Sequence, residues 1–354
     1  MAGRAAPLSP DAVLYREHDR QVSLPVCDHY CGSPALLAKS LALQARLGPV
    51  LDVTADCEDG AAAGDELAHA RLMAEGIASE ANRFGRVGAR THAVGHPAFA
   101  GEVEALMGGA GRQLAYLTLP KVQDVAAVAQ ADALLREHEA RLGREPPVPL
   151  QVLIESPAAL ARLDAIAAHP RVEALCFGLM DYVSSFGGAV GSDALHGSRQ
   201  FEHPLLARAL ADIALSAHAH GKVAVHSVTL AIGDGEAAGR DAQRAAHDFG
   251  YQRKWSIHPV QVAPIIAAFR PALNEVQQAA GILLAAREAG WGPVRHDGHL
   301  HDRASYRYWW QVLQRAHRTG VSLPPEAAAA FFGDVRGDAK PDAPASLSQA
   351  GDVQ

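Results

Sequence analysis

The strongest constraint on the fold is a regular alternation, between residues 21 and 257, of short β-type runs with alanine-rich amphipathic segments. Segments such as SPALLAKSLALQARLG place their apolar residues at the spacing of one helix face. The predicted strands are Gln21–Val26, Val50–Ala55, Arg86–Thr91, Ala115–Pro120, Leu150–Ile154, Ala174–Gly178, Lys222–His226 and Lys254–Ile257. Each predicted strand is therefore expected to be followed by a helix, and that helix by the next strand.

This alternation favours an α/β fold of the (β/α)8 TIM barrel class over a doubly wound sheet. A dinucleotide-binding sheet would also carry GxGxxG just after an early strand, and no such segment follows one here. After Pro259 the pattern changes to longer helical segments. The predicted organisation is an N-terminal arm at 1–19, the barrel at 20–260, a C-terminal helical extension with a lid segment at 261–333, and a disordered tail at 334–354.

Composition and charge exclude several classes of partner. The formal net charge of −7 argues against a broad nucleic-acid-binding surface. No apolar run reaches the roughly 18 residues of a membrane span, and the N-terminus lacks the apolar core of a secretory signal. The four cysteines are then expected to be reduced thiols. We expect a cytoplasmic protein with neither nucleic-acid nor membrane partners.

Two carboxylates follow adjacent predicted strands, Glu155 after PLQVLI and Asp181 after VEALCFGLM. They lie 26 residues apart (181 − 155), about one βα repeat of a parallel barrel. Because neighbouring strands of a barrel end side by side, the two acids could hold one hard cation such as Mg²⁺. The alternative is that each acid caps the helix that follows it.

Ionisable groups are concentrated at the other predicted strand ends as well, a pattern typical of active sites. These residues are Cys27, Asp28, Asp56, Glu58, Asp59, Arg90, His92, Lys121, His226 and His258. Arg90 could bind a substrate carboxylate through two parallel hydrogen bonds or pair with the acids of DCEDG, and the two roles are compatible. Lys121 could be a Schiff-base nucleophile, an electrostatic contact or a salt-bridge partner. Surrounding acids would raise its pKa and so disfavour the nucleophile.

Taken together, these segments resemble the HpcH/HpaI aldolase and citrate lyase β-subunit superfamily. The matching pieces, in chain order, are DCEDG at 56–60, GAR at 88–90, LPK at 119–121, IES at 154–156, CFGLMDY at 176–182, KWSIHPVQ at 254–261 and DGHLHD at 297–302. The last looks like the DGxMxD segment of the citrate-lyase-like branch. Each piece is short, but the ordered set is specific and spans about residues 20–318.

The resemblance implies a TIM barrel that binds Mg²⁺, with Mn²⁺ possible, through Glu155 and Asp181, while Arg90 binds an α-keto-acid carboxylate. In the malyl-CoA and citramalyl-CoA lyase-like branch, the aspartate that matches Asp302 comes from a neighbouring subunit's lid and acts as acid/base on the acyl α-carbon. The likeness also implies a homotrimer or homohexamer. The resulting assignments are catalytic roles for Asp302, Arg90 and Glu58, and substrate binding by Arg90, Lys121, His258 and Pro259.

Three segments depart from the family pattern. Arg90-Thr91-His92 stands where the family has Arg-x-Asn, SLPVCDHYCG replaces a Leu-x-x-Pro-Gly start, and Val225-His226 replaces Ile-Asp. All three are predicted to lie at the barrel mouth. We therefore expect the family's reaction with an unusual acyl group.

The functional hypothesis is a Mg²⁺-dependent carbon–carbon lyase. It would cleave a 3-hydroxy-3-carboxy acyl thioester of the malyl-CoA or citramalyl-CoA type into an acyl-CoA and a 2-keto acid by retro-aldol chemistry. The first alternative is an HpaI-like class II aldolase acting on a free 2-keto-4-hydroxy acid without CoA, against which DGHLHD argues. The second is a non-catalytic subunit or binding protein, against which the retained acids and Arg90 argue.

Overall fold

The computed structural model describes residues 9–15 and 22–333. These residues form two compact units, one within Val22–Ala268 and the other comprising 9–15 and the described residues from Phe269 onward. The predicted tail at 334–354 and most of the predicted arm at 1–19 lie outside the described residues.

The first unit is a closed barrel of eight parallel strands, in which β1 pairs with both β2 and β8. The strands are β1 (Cys27–Cys31), β2 (Leu51–Asp56), β3 (Val87–Arg90), β4 (Leu114–Leu119), β5 (Leu150–Ile154), β6 (Val172–Phe177), β7 (Val223–His226) and β8 (Arg253–Ser256). This topology confirms the predicted (β/α)8 class.

Helices follow the strands on the outside of the barrel. They are α2 (Pro34–Leu47), α3 (Glu66–Ala78), α4 (Phe99–Ala110), α5 (Val125–Leu142), α6 (Pro157–Leu160), α7 (Leu163–Ala167), α8 (Leu179–Ser184), α9 (Arg199–Glu202), α10 (Pro204–Ala219), α11 (Gly235–Phe249) and α12 (Pro259–Ala268), with a short 3₁₀ turn at Ser192–Leu195. Local sequence fixes many of their ends. The Asp124 carboxylate accepts the first N–H groups of α5, and Gly143, with φ of 58°, ends that helix as its sequence predicts.

The second unit is mainly helical. It contains α1 (Pro10–Leu14), α13 (Leu273–Glu288), α14 (Arg303–Arg318) and α15 (Pro325–Phe331), with a hairpin of β9 (Val294–His296) and β10 (His299–His301). Its own apolar core includes Leu283, Tyr306, Trp310 and Leu313. Nowhere in the described part of the chain is a helix long and apolar enough to cross a membrane.

Seven of the predicted strands lie within two residues of the observed ones, but the first prediction is wrong. Residues 22–26 are not a strand, and β1 is instead Cys27–Cys31. Cys27 and Asp28 therefore begin β1 rather than follow a strand at the mouth. The segment CDHYC reads as polar, yet all five of its residues are buried, because the partners that satisfy Asp28 come from other strands.

The partners of Asp28 belong to a charged network sealed inside the barrel. Arg253 of β8 lies 2.9 Å from the Asp28 carboxylate and also donates to Asp52 of β2. Arg86 makes a two-point contact with Asp52 at 2.6 and 2.9 Å. The side chains of Arg253, Asp28 and Asp52 are all fully buried. The network therefore ties β1, β2 and β8 together where the barrel closes.

Removing Arg253 should destabilise the fold strongly. Replacing it with methionine leaves Asp28 and Asp52 buried without their shared cation, and breaking a buried pair in this way costs about 3–5 kcal/mol. Urea unfolding measures the change in free energy of unfolding.

The matched control is Arg208→Ala, which removes an arginine that pairs with Asp212 at 3.3 Å but is 76% exposed. It should change stability by less than about 1 kcal/mol. A loss for Arg253→Met no larger than that of the control would contradict the role of the network.

Candidate active site

The carboxyl ends of β2 to β5 carry most of the residues that the sequence singles out. Asp56 and Arg90 are the last residues of β2 and β3, and they lie in register with each other. Lys121 and Glu155 follow β4 and β5. Parallel strands end together at one edge of the barrel, so four separate segments deliver these side chains to one mouth.

Arg90 is held rigidly by acids of the segment DCEDG. Its Nε and Nη2 donate to the two carboxylate oxygens of Asp56 at 2.7 and 2.6 Å, and its Nη1 lies 3.1 Å from Glu58. The guanidinium also lies over the Tyr30 ring, 5.4 Å from its centroid. Pairing with the acids of DCEDG is therefore compatible with binding a substrate carboxylate. A guanidinium has five N–H groups, and these contacts leave one N–H group unused on each Nη.

The charge of Arg90 is secure. Burial alone would lower the pKa of Arg90, but the adjacent Asp56 carboxylate outweighs burial and raises it. Its side chain is 12% exposed, so a small anion can still reach the guanidinium from the mouth.

Glu155 is buried, and the negative charge of Asp181 lies near it. One of its oxygens accepts the backbone N–H of Lys121. A side chain at Gly178 would place its Cβ 2.5 Å from Glu155, so only glycine allows this close approach. Burial, reinforced by the negative charge of Asp181, raises the pKa of Glu155 to about 8.

Neither acid of the predicted metal pair caps a helix through its side chain. Ser156 caps α6, its hydroxyl accepting the Ala159 N–H at 3.1 Å, and Gly178 occupies the cap position of α8. Asp181 lies in the first turn of α8 and is partly exposed. Side-chain capping therefore accounts for neither acid, although Asp181 lies in the first turn of α8, where the helix dipole favours a negative charge.

The residues present fit a hard divalent cation. Glu155 and Asp181 repel each other and offer only oxygen donors, the ligand type that Mg²⁺ prefers. Within residues 9–15 and 22–333, no group of three or more His, Cys, Asp or Glu side chains is arranged to hold a metal. Two carboxylates, with the other positions left to water and substrate, are a common Mg²⁺ arrangement.

Lys121 links the two halves of this site. Its ammonium lies 2.6 Å from Glu58 and 3.2 Å from Asp59, while its backbone N–H donates to Glu155. Burial would lower the pKa of Lys121, but Glu58 and Asp59 outweigh it and raise the pKa, which disfavours a Schiff-base role. The backbone of Lys121 has a φ of 54°, a left-handed conformation that is uncommon for a residue with a side chain.

Two other predicted contacts follow β8. The Nδ1 of His258 accepts the N–H of Val260 at 3.3 Å, so the neutral ring carries its proton on Nε2. The hydroxyl of Ser256 donates to the His258 carbonyl at 3.0 Å and so helps to fix this loop. Pro259 is exposed and begins α12.

His226 does not point into the mouth, contrary to its sequence interpretation. It is fully buried, lies parallel to the Phe201 ring at 5.2 Å, and accepts a hydrogen bond from Lys254 at 3.1 Å. Its neighbour Val225 packs in the barrel interior with Tyr30. Strand alternation therefore directs His226 outward, toward the surrounding helices.

Asp302 belongs to the second unit, where it is the N-cap of α14. One carboxylate oxygen accepts the N–H groups of Ala304 and Ser305 at 2.9 and 3.4 Å. The residue is exposed and lines an open cavity with Trp291 and Arg303. The capping role proposed from the sequence is present, and it uses only one of the two oxygens.

Sequence reasoning missed one member of the mouth, Glu102 of α4. It is fully buried, and its two oxygens accept the Nδ1–H and backbone N–H of His92 at 2.6 and 2.9 Å. The only sequence signal was a single acid inside the apolar helix segment FAGEVEALMGGA. Nothing local indicates that its partner is the residue two positions beyond Arg90.

Comparison with known proteins gives consistent matches. The family model described as HpcH/HpaI aldolase/citrate lyase matches residues 50–259. An L-malyl-CoA/beta-methylmalyl-CoA lyase of Cereibacter sphaeroides is 32% identical over 80% of this chain and 91% of its own length. A crystal structure of a citrate lyase from Burkholderia xenovorans LB400 is 48% identical, covers 92% of this chain and 100% of its own, and superposes with a TM-score of 0.79.

A more distant structure shares the fold. The protein CitE from Mycobacterium tuberculosis, in complex with magnesium, acetoacetate and coenzyme A, is 23% identical with a TM-score of 0.61. It covers 83% of this chain and 99% of its own.

Because the backbone at Lys121 is left-handed, glycine should be more stable than alanine at this position, the reverse of their order within a helix. Lys121→Gly should be more stable than Lys121→Ala by about 1 kcal/mol, because glycine adopts positive φ without strain. Both variants lose the ammonium, so their difference in unfolding free energy isolates the backbone. At Glu137, which is 64% exposed in α5, alanine should instead be favoured by about 1 kcal/mol. The same order at both positions would refute the conformational argument.

The raised pKa of Glu155 predicts a pH dependence in metal-free protein. The folded state keeps the Glu155 proton up to a pH of about 8, whereas the unfolded chain loses it near the ordinary value of 4.5. Folded protein therefore binds more protons in this window, and the free energy of unfolding should fall as pH rises through it.

Thermal unfolding with a chelator present, from pH 5 to pH 9, measures this effect in wild type and in Glu155→Gln. The glutamine variant should lose part of the decline, because it cannot ionise. Parallel curves for the two proteins would show that Glu155 does not titrate as described.

Proposed function

The chain belongs to the HpcH/HpaI aldolase/citrate lyase family, and from this membership we propose its function. It is an enzyme of the carbon–carbon lyase type. Its substrate is a 3-hydroxy-3-carboxy acyl-CoA of the malyl-CoA type, which retro-aldol cleavage converts into an acyl-CoA and a 2-keto acid. The observation that carries this proposal is the arrangement of Arg90, with two unused N–H groups, at the same mouth as the Glu155–Asp181 pair.

Arg90 binds the carboxylate that ends up on the keto acid. Asp56 and Glu58 fix the guanidinium plane before the substrate arrives. The N–H groups left on Nη1 and Nη2 can then donate to two carboxylate oxygens, which orients the bond to be broken. Glu58 thus acts by holding Arg90 and Lys121 rather than by touching the substrate.

Glu155 and Asp181 would hold Mg²⁺, with Mn²⁺ as the alternative. When bound, the metal supplies Lewis-acid polarisation of the hydroxyl and carboxylate oxygens next to the bond that breaks. The backbone N–H of Lys121 keeps the Glu155 carboxylate in place for this purpose. His258, whose Nε2–H is available, provides a further donor to the substrate.

Asp302 supplies the proton that completes cleavage. When the carbon–carbon bond breaks, its electron pair passes to the α-carbon of the thioester and forms an enolate. Protonated Asp302 transfers its proton to that carbon, and in the reverse direction its carboxylate removes the same proton. The exposed position of Asp302 at the end of α14 suits this exchange.

We further propose that the enzyme is a cytoplasmic homotrimer or homohexamer in which Asp302 serves the barrel of a neighbouring subunit. The long match to a malyl-CoA lyase, which includes 91% of that protein, supports a CoA thioester over the free hydroxy-keto acid of an HpaI-like aldolase. Support for a catalytic protein over a binding protein comes from the intact set of Arg90, Glu155 and Asp181.

Cleavage of L-malyl-CoA in the presence of Mg²⁺ tests the proposal directly. Asp302→Asn should lower kcat by about 10²–10⁴, the usual worth of a general acid. Asparagine caps a helix as well as aspartate does, so this variant should keep its melting temperature. Glu155→Gln should weaken Mg²⁺ binding, measured by calorimetry, by at least about tenfold.

The outcome that would overturn the proposal is absence of metal-dependent cleavage of any malyl-type acyl-CoA by the wild type. Activity on free 2-keto-4-hydroxy acids, with no rise in melting temperature on adding acetyl-CoA, would assign the aldolase function instead. Full activity in Asp302→Asn would remove only that residue from the mechanism.

A further inference from the structure

We propose that His92, oriented by Glu102, is the base that accepts the substrate's hydroxyl proton during cleavage. The inference rests on the proposed function and identifies one more catalytic residue for it. Cleavage turns a C–O–H group into a C=O group, so its proton must leave as the carbon–carbon bond breaks. In the proposed function Asp302 begins the cleavage direction protonated, so another group accepts the hydroxyl proton.

The contact between His92 and Glu102 fixes the state of the imidazole. Both oxygens of the Glu102 carboxylate accept hydrogen bonds from His92, one from Nδ1 at 2.6 Å and the other from the backbone nitrogen at 2.9 Å. A carboxylate accepts hydrogen bonds, so in the neutral ring Nδ1 carries the proton and Nε2 presents a lone pair. A histidine oriented by a carboxylate in this way is the usual arrangement of a general base.

The same contact sets the direction of the lone pair. Glu102 is fully buried in α4, and the two nitrogens of an imidazole point away from each other. Holding Nδ1 from the helix layer therefore turns Nε2 away from that layer. The His92 side chain is 21% exposed, and among the described residues none forms a hydrogen bond with its Nε2.

His92 is close in the chain to Arg90, the residue proposed to bind the substrate carboxylate. Strand β3 ends at Arg90, and the backbone continues alongside β4, where the N–H of Thr91 donates to the Thr118 carbonyl at 3.4 Å. His92 lies two residues beyond Arg90, outside the strand, with its side chain partly exposed. The substrate hydroxyl is on the carbon that bears the carboxylate bound by Arg90.

Other groups at the mouth are less suited to accept this proton. Asp56 and Glu58 are committed to Arg90 and Lys121. His258 and His96 each accept a backbone N–H at Nδ1, which leaves a proton rather than a lone pair on Nε2. His92 differs because its Nδ1 faces a carboxylate.

Cleavage involves two proton transfers and the movement of two electron pairs. The hydroxyl O–H bond breaks and its proton goes to Nε2 of His92, while the O–H electron pair forms the C=O bond. The carbon–carbon electron pair goes to the thioester α-carbon, which Asp302 protonates. His92 then returns its proton to water, and Asp302 regains one from water.

The charged groups that face His92 are Glu102 from α4, the parallel-stacked His96 ring at 4.2 Å, and Glu66 from α3. His92 must be neutral to act, so kcat/KM for cleavage should fall on the acidic side as the imidazole is protonated. Glu102→Gln weakens the acceptor that orients the ring, so it should lower kcat for cleavage more than it changes KM. A merely structural contact would not separate kcat from KM in this way.

The decisive experiment compares His92→Asn with wild type in L-malyl-CoA cleavage across pH. We expect kcat to fall by about 10²-fold or more and the acidic limb to disappear, with added imidazole restoring part of the rate in His92→Ala. Exchange of the acetyl-CoA α-hydrogens in D₂O, which needs Asp302 but no hydroxyl proton transfer, should be retained in His92→Asn and lost in Asp302→Asn.

The matched control is His220→Asn, which removes another half-buried histidine paired with an acid, Asp164, at 2.7 Å. It should leave both reactions unchanged. Wild-type rate and acidic limb in His92→Asn would overturn the inference while leaving the lyase function standing, whereas an inactive wild type would overturn the function itself. If His92→Asn does not fold, a wild-type kcat in Glu102→Gln, or the absence of an acidic limb in the wild type, would overturn it.

Discussion

The site depends on the way strand β2 distributes its acids. In the segment LDVTAD, Asp52 and Asp56 are four residues apart and therefore lie on the same side of the strand. Each acid binds an arginine from another segment of the chain. Asp52 binds Arg86 and Arg253 inside the barrel, and Asp56 binds Arg90 at the mouth. Charge burial at this scale is tolerable only when each ion has a partner, so the same strand helps to specify both the closed barrel and the position of the arginine at its mouth.

The two ends of this strand use similar ion pairs for different purposes. Arg253 is completely buried with Asp28 and Asp52, so its contacts stabilise the closed barrel and no ligand reaches it. Arg90 retains 12% exposure and two N–H groups that no acid occupies. What distinguishes the two arginines is therefore access from the barrel mouth, not the type of ion pair.

Around Arg90, the remaining polar residues act in linked pairs. Lys121 connects Glu155 to Glu58 through its backbone and its ammonium, and Glu102 fixes His92 through two hydrogen bonds. Each link fixes one reactive group by a residue on a neighbouring segment, which reduces the rearrangement needed when a substrate binds. The left-handed backbone of Lys121 is a local cost that aims its N–H at Glu155.

The sequence by itself determined the barrel class, seven of its strands and the residues at their ends, because helix periodicity, Pro and Gly signals and strand alternation are local properties. It failed at β1, whose polar residues are buried only because Arg253, 225 positions later (253 − 28), neutralises Asp28. It also misplaced His226 and gave no reason to notice Glu102. These outcomes were decided by tertiary structure alone, since whether a polar side chain is buried, and which way it points, depends on a partner that the chain brings near only when it folds.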